Sequence, residues 1–109
     1  MIPEQNSNFL YLTTTGRRSG LAREIEIWYT QHGGRYFVIA EYPHSNWVQN
    51  LLVNSDVRVR IGELQFRAVA RVVNAELETE LHGAVRELSR KKYGWGEGLV
   101  VELVPQIDK

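Results

Sequence analysis

Eleven consecutive residues, 13–23, hold the chain's densest chemistry: Thr13, Thr14 and Thr15, then Gly16, the adjacent pair Arg17 and Arg18, Ser19, Gly20 and, three residues on, Arg23. Guanidinium groups match phosphate with paired, charge-assisted hydrogen bonds. The glycines let backbone N–H groups approach a ligand closely. This is the chemistry of a phosphate grip. On residue types alone, a polar hairpin loop whose arginines solvate it accounts for the same residues, and both readings stand. A second cationic feature lies in 57–74. With Gly62-Glu63 as a two-residue turn, Arg58 falls opposite Arg67, and like charges opposed on one face repel. Glu24 and Glu26 are expected to neutralise them; a bound anion is the alternative. Trp47, near a helix start, can stack on a planar cofactor or anchor the helix to its sheet. Trp28, Tyr29 and Tyr42 carry the same two readings. Trp95, in GWGEG, can cap a pocket or meet another subunit.

Other chemistries find no support. The 109 residues contain no cysteine, and His32, His44 and His82 are too scattered to form a metal cluster. No serine–histidine–acid pattern and no convincing pair of acids suggests hydrolysis. Thirteen basic residues balance thirteen acidic ones, so no global field draws the chain to nucleic acid or anionic lipid. No apolar run is long enough to span a membrane, and residues 1–8 do not read as a signal peptide. A cytoplasmic location fits this pattern, and the length fits one domain, 1–109.

The elements that must position these residues follow from alternation and turn chemistry. Residues 8–14 read as a strand, apolar enough for burial on both faces. In 22–30, Ile25, Ile27 and Tyr29 face one way while Glu24, Glu26 and Trp28 face the other. The glycine pair in 31–34 makes a hairpin turn into a strand at 35–41. Ser45 is placed to cap a short helix, 46–54. Strands 57–61 and 64–74 form the clearest hairpin, through a type II′ turn at Gly62-Glu63; Val57, Val59, Ile61, Leu64, Phe66, Ala68 and Ala70 face inward. A second helix, 76–93, carries the stripe Leu77, Leu81, Ala84, Val85 and Leu88, and ends at Gly94. A last strand occupies 99–104. The expectation is a mainly β fold with two helices, its six antiparallel strands closed into a barrel that leaves no long edges.

Three blocks together resemble the deazaflavin-dependent nitroreductase family: LYLTTTGRRSGLAREIEIWY (10–29), GGRYFVIAEYP (33–43) and SNWVQNLLVNSDVRVRIG (45–62). The family pairs a threonine-rich strand end and a GR-basic-SG loop, followed by arginine, with a later W-x-x-N-L-x-x-N-P-x-V segment. Here that segment is Trp47, Asn50, Leu51, Asn54, Ser55 and Val57, with serine in place of proline. FRAVARVV, 66–73, extends the match, which covers about two thirds of the chain in order and spacing.

The resemblance implies a split β-barrel related to flavin-binding, pyridoxamine-phosphate-oxidase-like proteins, commonly a homodimer. It implies coenzyme F-420, an 8-hydroxy-5-deazaflavin, as hydride donor, with FMN the alternative cofactor. Carried over by position, Arg17, Arg18 and Arg23 would hold the cofactor's phosphate and acidic tail. Thr15, Gly16 and Ser19 would shape the loop, Trp47 would wall the cofactor groove, and Trp28 would line the substrate pocket. Hydride would pass to a quinone, enone or nitro compound, with no catalytic side-chain base required. Family members carry a longer, glycine-rich segment along the deazaflavin ring where this chain has only Glu41 to Asn46, without glycine. They also have an N-terminal helix and a longer C-terminal region. These departures favour an alternative, a split barrel that binds a flavin, deazaflavin or apolar ligand without turnover.

Overall fold

A computed structural model describes residues 8–106. Seven strands and two helices follow in the order β1 (Phe9–Thr15), β2 (Ala22–Trp28), β3 (Thr30–His32), β4 (Arg35–Ala40), α1 (Asn46–Val53), β5 (Asp56–Ile61), β6 (Leu64–Val72), α2 (Thr79–Tyr93) and β7 (Leu99–Pro105). All pairings are antiparallel, in the order β2-β1-β5-β6-β7-β4-β3. The hairpin turns are those the sequence specifies. Gly33 and Gly34 both have positive φ between β3 and β4. At the β5–β6 turn only Gly62 does, as a type II′ turn requires. Ile61 pairs with Leu64 and Arg58 with Arg67, the register expected.

The strand count is seven rather than six because the expected strand 22–30 breaks at Tyr29. β2 pairs with β1 at one end of the sheet, whereas β3 pairs with β4 at the other. The two end strands are therefore joined through a single residue, and the sheet curls until its edges meet there as a split barrel. A corner takes backbone groups out of both ladders, and buried ones need new partners. Tyr29, 2% exposed, finds them at the end of α2. Its N–H donates to Tyr93 Oη at 3.0 Å, while its carbonyl faces Tyr93 Oη at 2.5 Å and accepts from Lys92 Nζ at 3.0 Å. Tyr93 Oη also reaches the Asn8 carbonyl. The Lys92 ammonium lies 4.1 Å from the centre of the Tyr29 ring.

The barrel interior packs Leu10, Leu12, Val38, Val57, Val59, Ile61, Val101 and Leu103 around Tyr29. A second cluster, Phe37, Ile39, Val73, Val85 and Val100, fills the space under α2. Four local expectations are corrected. β1 buries only alternate residues, Leu10, Leu12 and Thr14, because its other face belongs to an outer groove. Leu64 lies exposed at the hairpin turn. Leu77 is 85% exposed and precedes α2, since Asn74 Oδ1 accepts from the N–H groups of Glu76 and Leu77 and holds a separate turn. Glu24 and Glu26 do not neutralise Arg58: Glu24 lies 3.7 Å from Arg60, and Glu26 accepts from Tyr11 Oη at 2.7 Å. Gly94 does end α2, in the left-handed conformation.

Among the described residues, one acid is fully buried. Glu102 on β7 is 1% exposed and meets Arg71 at 2.8 Å and Arg35 at 3.2 Å. Arg71 also makes a paired contact with Glu78, at 2.6 and 3.0 Å. Bonds from Arg71 and from the Asn74 N–H lower the Glu78 carboxyl to about 2. This four-charge network ties β4, β6 and β7 to the turn before α2, away from the arginine loop.

Candidate functional site

The arginine loop closes on itself before it meets anything else. The Gly16 N–H donates to the Leu21 carbonyl and the Gly20 N–H to the Gly16 carbonyl, each at 2.8 Å. Ser19 Oγ accepts from the Leu21 N–H at 3.1 Å. A Cβ on Gly16 would lie 2.5 Å from Ser19 Oγ and 3.3 Å from the Leu21 carbonyl, so the tight turn leaves no room for a side chain.

Arg17 fastens this loop to α1. Its backbone N–H and its guanidinium both donate to Asn50 Oδ1, at 3.1 and 2.9 Å. The guanidinium also reaches the Asn46 carbonyl and Asn46 Oδ1, at 3.4 and 3.3 Å. Asn50, 4% exposed, turns its Nδ2 to Thr14 Oγ1 at 3.2 Å. Arg17 is thus committed to holding the loop, while Arg18 and Arg23 stay exposed with no partner among the described residues. Asn50 was visible in the sequence only as part of the spacing after Trp47. Its role as the loop's anchor needed the fold.

Beyond the start of α1 lies a groove of about 610 Å³. Trp28, Tyr29 and Thr30 line it from the barrel corner, Phe37, Ile39, Ala40, Glu41 and Tyr42 from β4 and the segment after it, Ser45 and Trp47 from the start of α1, and Ser89, Tyr93 and Trp95 from α2 and the loop after it. Trp28 and Tyr93 stack with ring centres 4.5 Å apart and planes within 1°. All three tryptophans of the chain face this one groove. The structure brings Trp28 and Trp47 together there. Thr15 instead borders a separate outer groove of about 930 Å³, with Thr13, Arg58, Arg60 and Arg67. Arg58 has no ion-pair or hydrogen-bond partner among the described residues.

Three site features escape a reading of the sequence. Tyr93 reads as the last residue of a helix, yet it is both the corner's hydrogen-bond partner and a groove wall; burial pushes its hydroxyl up to about 12, so it stays protonated. Burial likewise lowers Lys92. Ser45 stands at the N-cap position of α1, but its side chain makes no capping bond. Its Oγ and the Thr30 Oγ1 are buried without a partner, and both residues line the groove. Buried hydroxyls without partners are rare, and these two lie beneath the wall of one cavity with the oxygens shielded from solvent. Glu26 and Glu41 also line it; among the described residues no lysine, arginine or histidine does, although the Lys92 ammonium lies against the Tyr29 ring.

Comparison with known proteins places this geometry among relatives. A family model described as F420H(2)-dependent quinone reductase matches residues 3–97. Among solved structures, an F420-H2 dependent reductase superposes with a TM-score of 0.70 at 22% identity, covering 89% of this chain and 93% of that one. A chain described as a domain-swapped dimer gives 0.63 at 22% identity, covering 89% and 79%. An FAD-binding protein of Mesorhizobium loti gives 0.75 at 9% identity, covering 96% and 86%. At these identities the structural likeness shows a shared fold. No curated protein matches the chain. Among the described residues, no helix is long and apolar enough to cross a membrane.

Proposed function

The chain belongs to the F420H(2)-dependent quinone reductase family, and from that premise and the site geometry we propose a reductase that uses coenzyme F-420 to reduce a small quinone, enone or nitro compound. One observation carries the reading. Arg17 pins the arginine loop to the start of α1, and the same helix start, through Ser45 and Trp47, walls the aromatic groove. A phosphate grip and a ring-sized pocket are thus joined by one rigid element.

In this arrangement Arg18 and Arg23, both exposed and unpaired, meet the phosphate and acidic tail, while Arg17 positions the loop. Gly16 and Ser19 set the loop's shape. Thr15 and the unpaired Arg58 extend the anion-binding surface onto the outer groove. The uncapped N-terminus of α1 suits the polar edge of a flat ring lying against Trp47. This donor set fits the cofactor although the segment before α1 lacks glycine. Reduced deazaflavin supplies a hydride when bound, and the accepting oxygen takes its proton from water. The chain's own part is to align two flat molecules and keep water off their faces, with Trp28 and Tyr93 walling the acceptor's end. No side-chain base is assigned.

Titration with oxidised coenzyme F-420 tests this directly, because every tryptophan reports on the groove. We expect saturable quenching that weakens at least 10-fold in Arg18→Ala/Arg23→Ala. Absence of quenching in the natural chain would sink the reading. Binding without oxidation of the reduced cofactor by any quinone, enone or nitro acceptor would favour the non-catalytic alternative, which Glu41 in the groove wall supports. We further propose a cytoplasmic, one-domain homodimer. The exposed Leu52 and Val53 on α1 supply an apolar contact, and light scattering checks the mass.

A further inference from the structure

We propose that the outer groove is a second binding site, which takes a small phosphorylated compound on Arg58, Arg67 and Thr13. The proposal goes beyond the cofactor reading and stands without it. This groove of about 930 Å³ lies on the outer face of β1, β2, β5 and β6. The pairing register sets its donors in one row: Thr13 lies opposite Arg58, and Arg58 opposite Arg67. Neighbouring strands stand about 4.8 Å apart, so a hydroxyl and two guanidinium groups start from a span of roughly 10 Å. Thr15 adds a second hydroxyl on the same face, two residues along β1. Directly opposed like charges repel, and Arg58 has no ion-pair or hydrogen-bond partner among the described residues. Arg60, by contrast, is occupied, 3.7 Å from Glu24 and 4.1 Å over the Tyr11 ring. A row of donors that repels itself is completed by an anion.

The pleat of β1 keeps this row apart from the arginine loop. Thr14 is buried on the inner face, where it meets Asn50, the residue that holds Arg17. Arg23 pairs with Thr14 and so shares that face. Arg58 pairs with Thr13, one residue away and therefore on the opposite face. One phosphate cannot bridge Arg23 and Arg58 through the sheet, so the outer surface is a seat of its own. Charge and shape then narrow its ligand. The arginines share the groove with Glu24 and Asp56, which repel a long polyanion such as nucleic acid and leave a place for a compact dianion. A hydroxyl and two forked guanidinium groups, reaching in from three strands, match the three outward oxygens of a tetrahedral phosphoryl group better than a planar carboxylate.

Calorimetric titration of the full chain with inorganic phosphate, at mildly alkaline pH and constant ionic strength, tests the assignment. Arg18→Ala/Arg23→Ala, which lacks the loop's exposed arginines, should still bind phosphate saturably. Adding Arg58→Gln to that background should raise its Kd at least 10-fold, and adding Thr13→Val about 5-fold, the sizes of a charge-assisted and a neutral hydrogen bond. Malonate, a dianion of planar carboxylates, should bind at least 5-fold more weakly than phosphate. Phosphate should also bind the natural chain saturated with coenzyme F-420. Arg58→Gln alone should keep or raise Tm at low salt, since it relieves the repulsion with Arg67. An unchanged Kd on adding Arg58→Gln overturns the proposal, as does malonate that binds equally well. So does displacement of phosphate by coenzyme F-420, which would give the groove to the cofactor's tail. A lower Tm in Arg58→Gln overturns it by showing a structural role, and a halved mass in light scattering by showing that a second copy covers this face. A chain that shows the Arg58 pattern but never binds coenzyme F-420 refutes the functional reading and leaves this site standing.

Discussion

Replacing Tyr93 with phenylalanine isolates the contact that closes the barrel. The ring remains, so the stack on Trp28 and the fill of the groove wall are kept. Only Oη is lost, and with it the partner of the Tyr29 N–H at 3.0 Å. Lys92 Nζ still covers the Tyr29 carbonyl, at 3.0 Å. The Tyr29 N–H, at a residue 2% exposed, then faces a phenyl edge in place of the hydroxyl that accepted from it. Leaving a buried donor unpaired costs about 1–3 kcal/mol. Taking the middle of that range, stability should fall by ~2 kcal/mol. At roughly 4–8 °C per kcal/mol for a domain near 100 residues, Tm should drop by about 10 °C. Urea unfolding followed by tryptophan fluorescence measures this, with the midpoint moving and the slope unchanged. Tyr42→Phe is the control: its ring lines the same groove, but it is 69% exposed, so it should stay within about 0.5 kcal/mol.

The same substitution has a signature at alkaline pH. Burial holds the Tyr93 hydroxyl at about 12 in the folded chain, against 10.0 as its ordinary value. Between those values the folded state keeps a proton that the unfolded state has released, so this contribution is complete below pH 10 and lost as pH rises toward 12. Tyr93→Phe should flatten that limb. Lys92, lowered by burial, contributes in the opposite sense and is common to both proteins, so the difference isolates Tyr93. A loss below about 0.5 kcal/mol at neutral pH, or an unchanged alkaline limb, would refute the account of the corner.

Four further outcomes follow from the same geometry. Arg17→Ala removes the guanidinium's bonds to Asn46 and Asn50 and should cost about 1–2 kcal/mol while also weakening coenzyme F-420, whereas Arg18→Ala should weaken the cofactor and leave Tm unchanged; melting curves beside titrations separate the two. Gly16→Ala should destabilise by about 1 kcal/mol through its clash with Ser19 Oγ, and most of that cost should vanish in a Ser19→Ala background, as a double-mutant cycle would record. Glu78, lowered to about 2 by Arg71, stabilises the fold fully above its ordinary value of 4.5 and loses that effect as pH falls toward 2; Glu78→Gln should remove this acid-limb slope in urea titrations at stepped pH. Gly98→Ala puts a Cβ 2.3 Å from the Ala40 carbonyl at a φ of +124°, and should lower Tm by more than any other substitution named here.

Much of this protein is legible in its residues taken in order. Alternation in 22–28 and 57–70 assigns inner and outer faces, because the strand repeat of two is a local property. The glycines at 33, 34 and 62 fix their turns and thereby the Arg58–Arg67 register, since few other residues accept positive φ. The arginine loop is likewise visible as a cluster of types. Curvature decides the rest. Nothing local says that a strand from Ala22 to His32 must break at Tyr29 and join two ends of one sheet; that follows from the accumulated curl of seven strands. Only that closure brings Tyr93 onto Tyr29 across 64 positions and stacks it on Trp28. Only the seating of α1 turns Arg17 inward to Asn50 while leaving Arg18 and Arg23 for a ligand. The sequence by itself set which groups the molecule could offer. The tertiary structure, by taking Arg17 and Tyr93 into its own hydrogen bonds and leaving Arg18 and Arg23 exposed, decided which are left to bind.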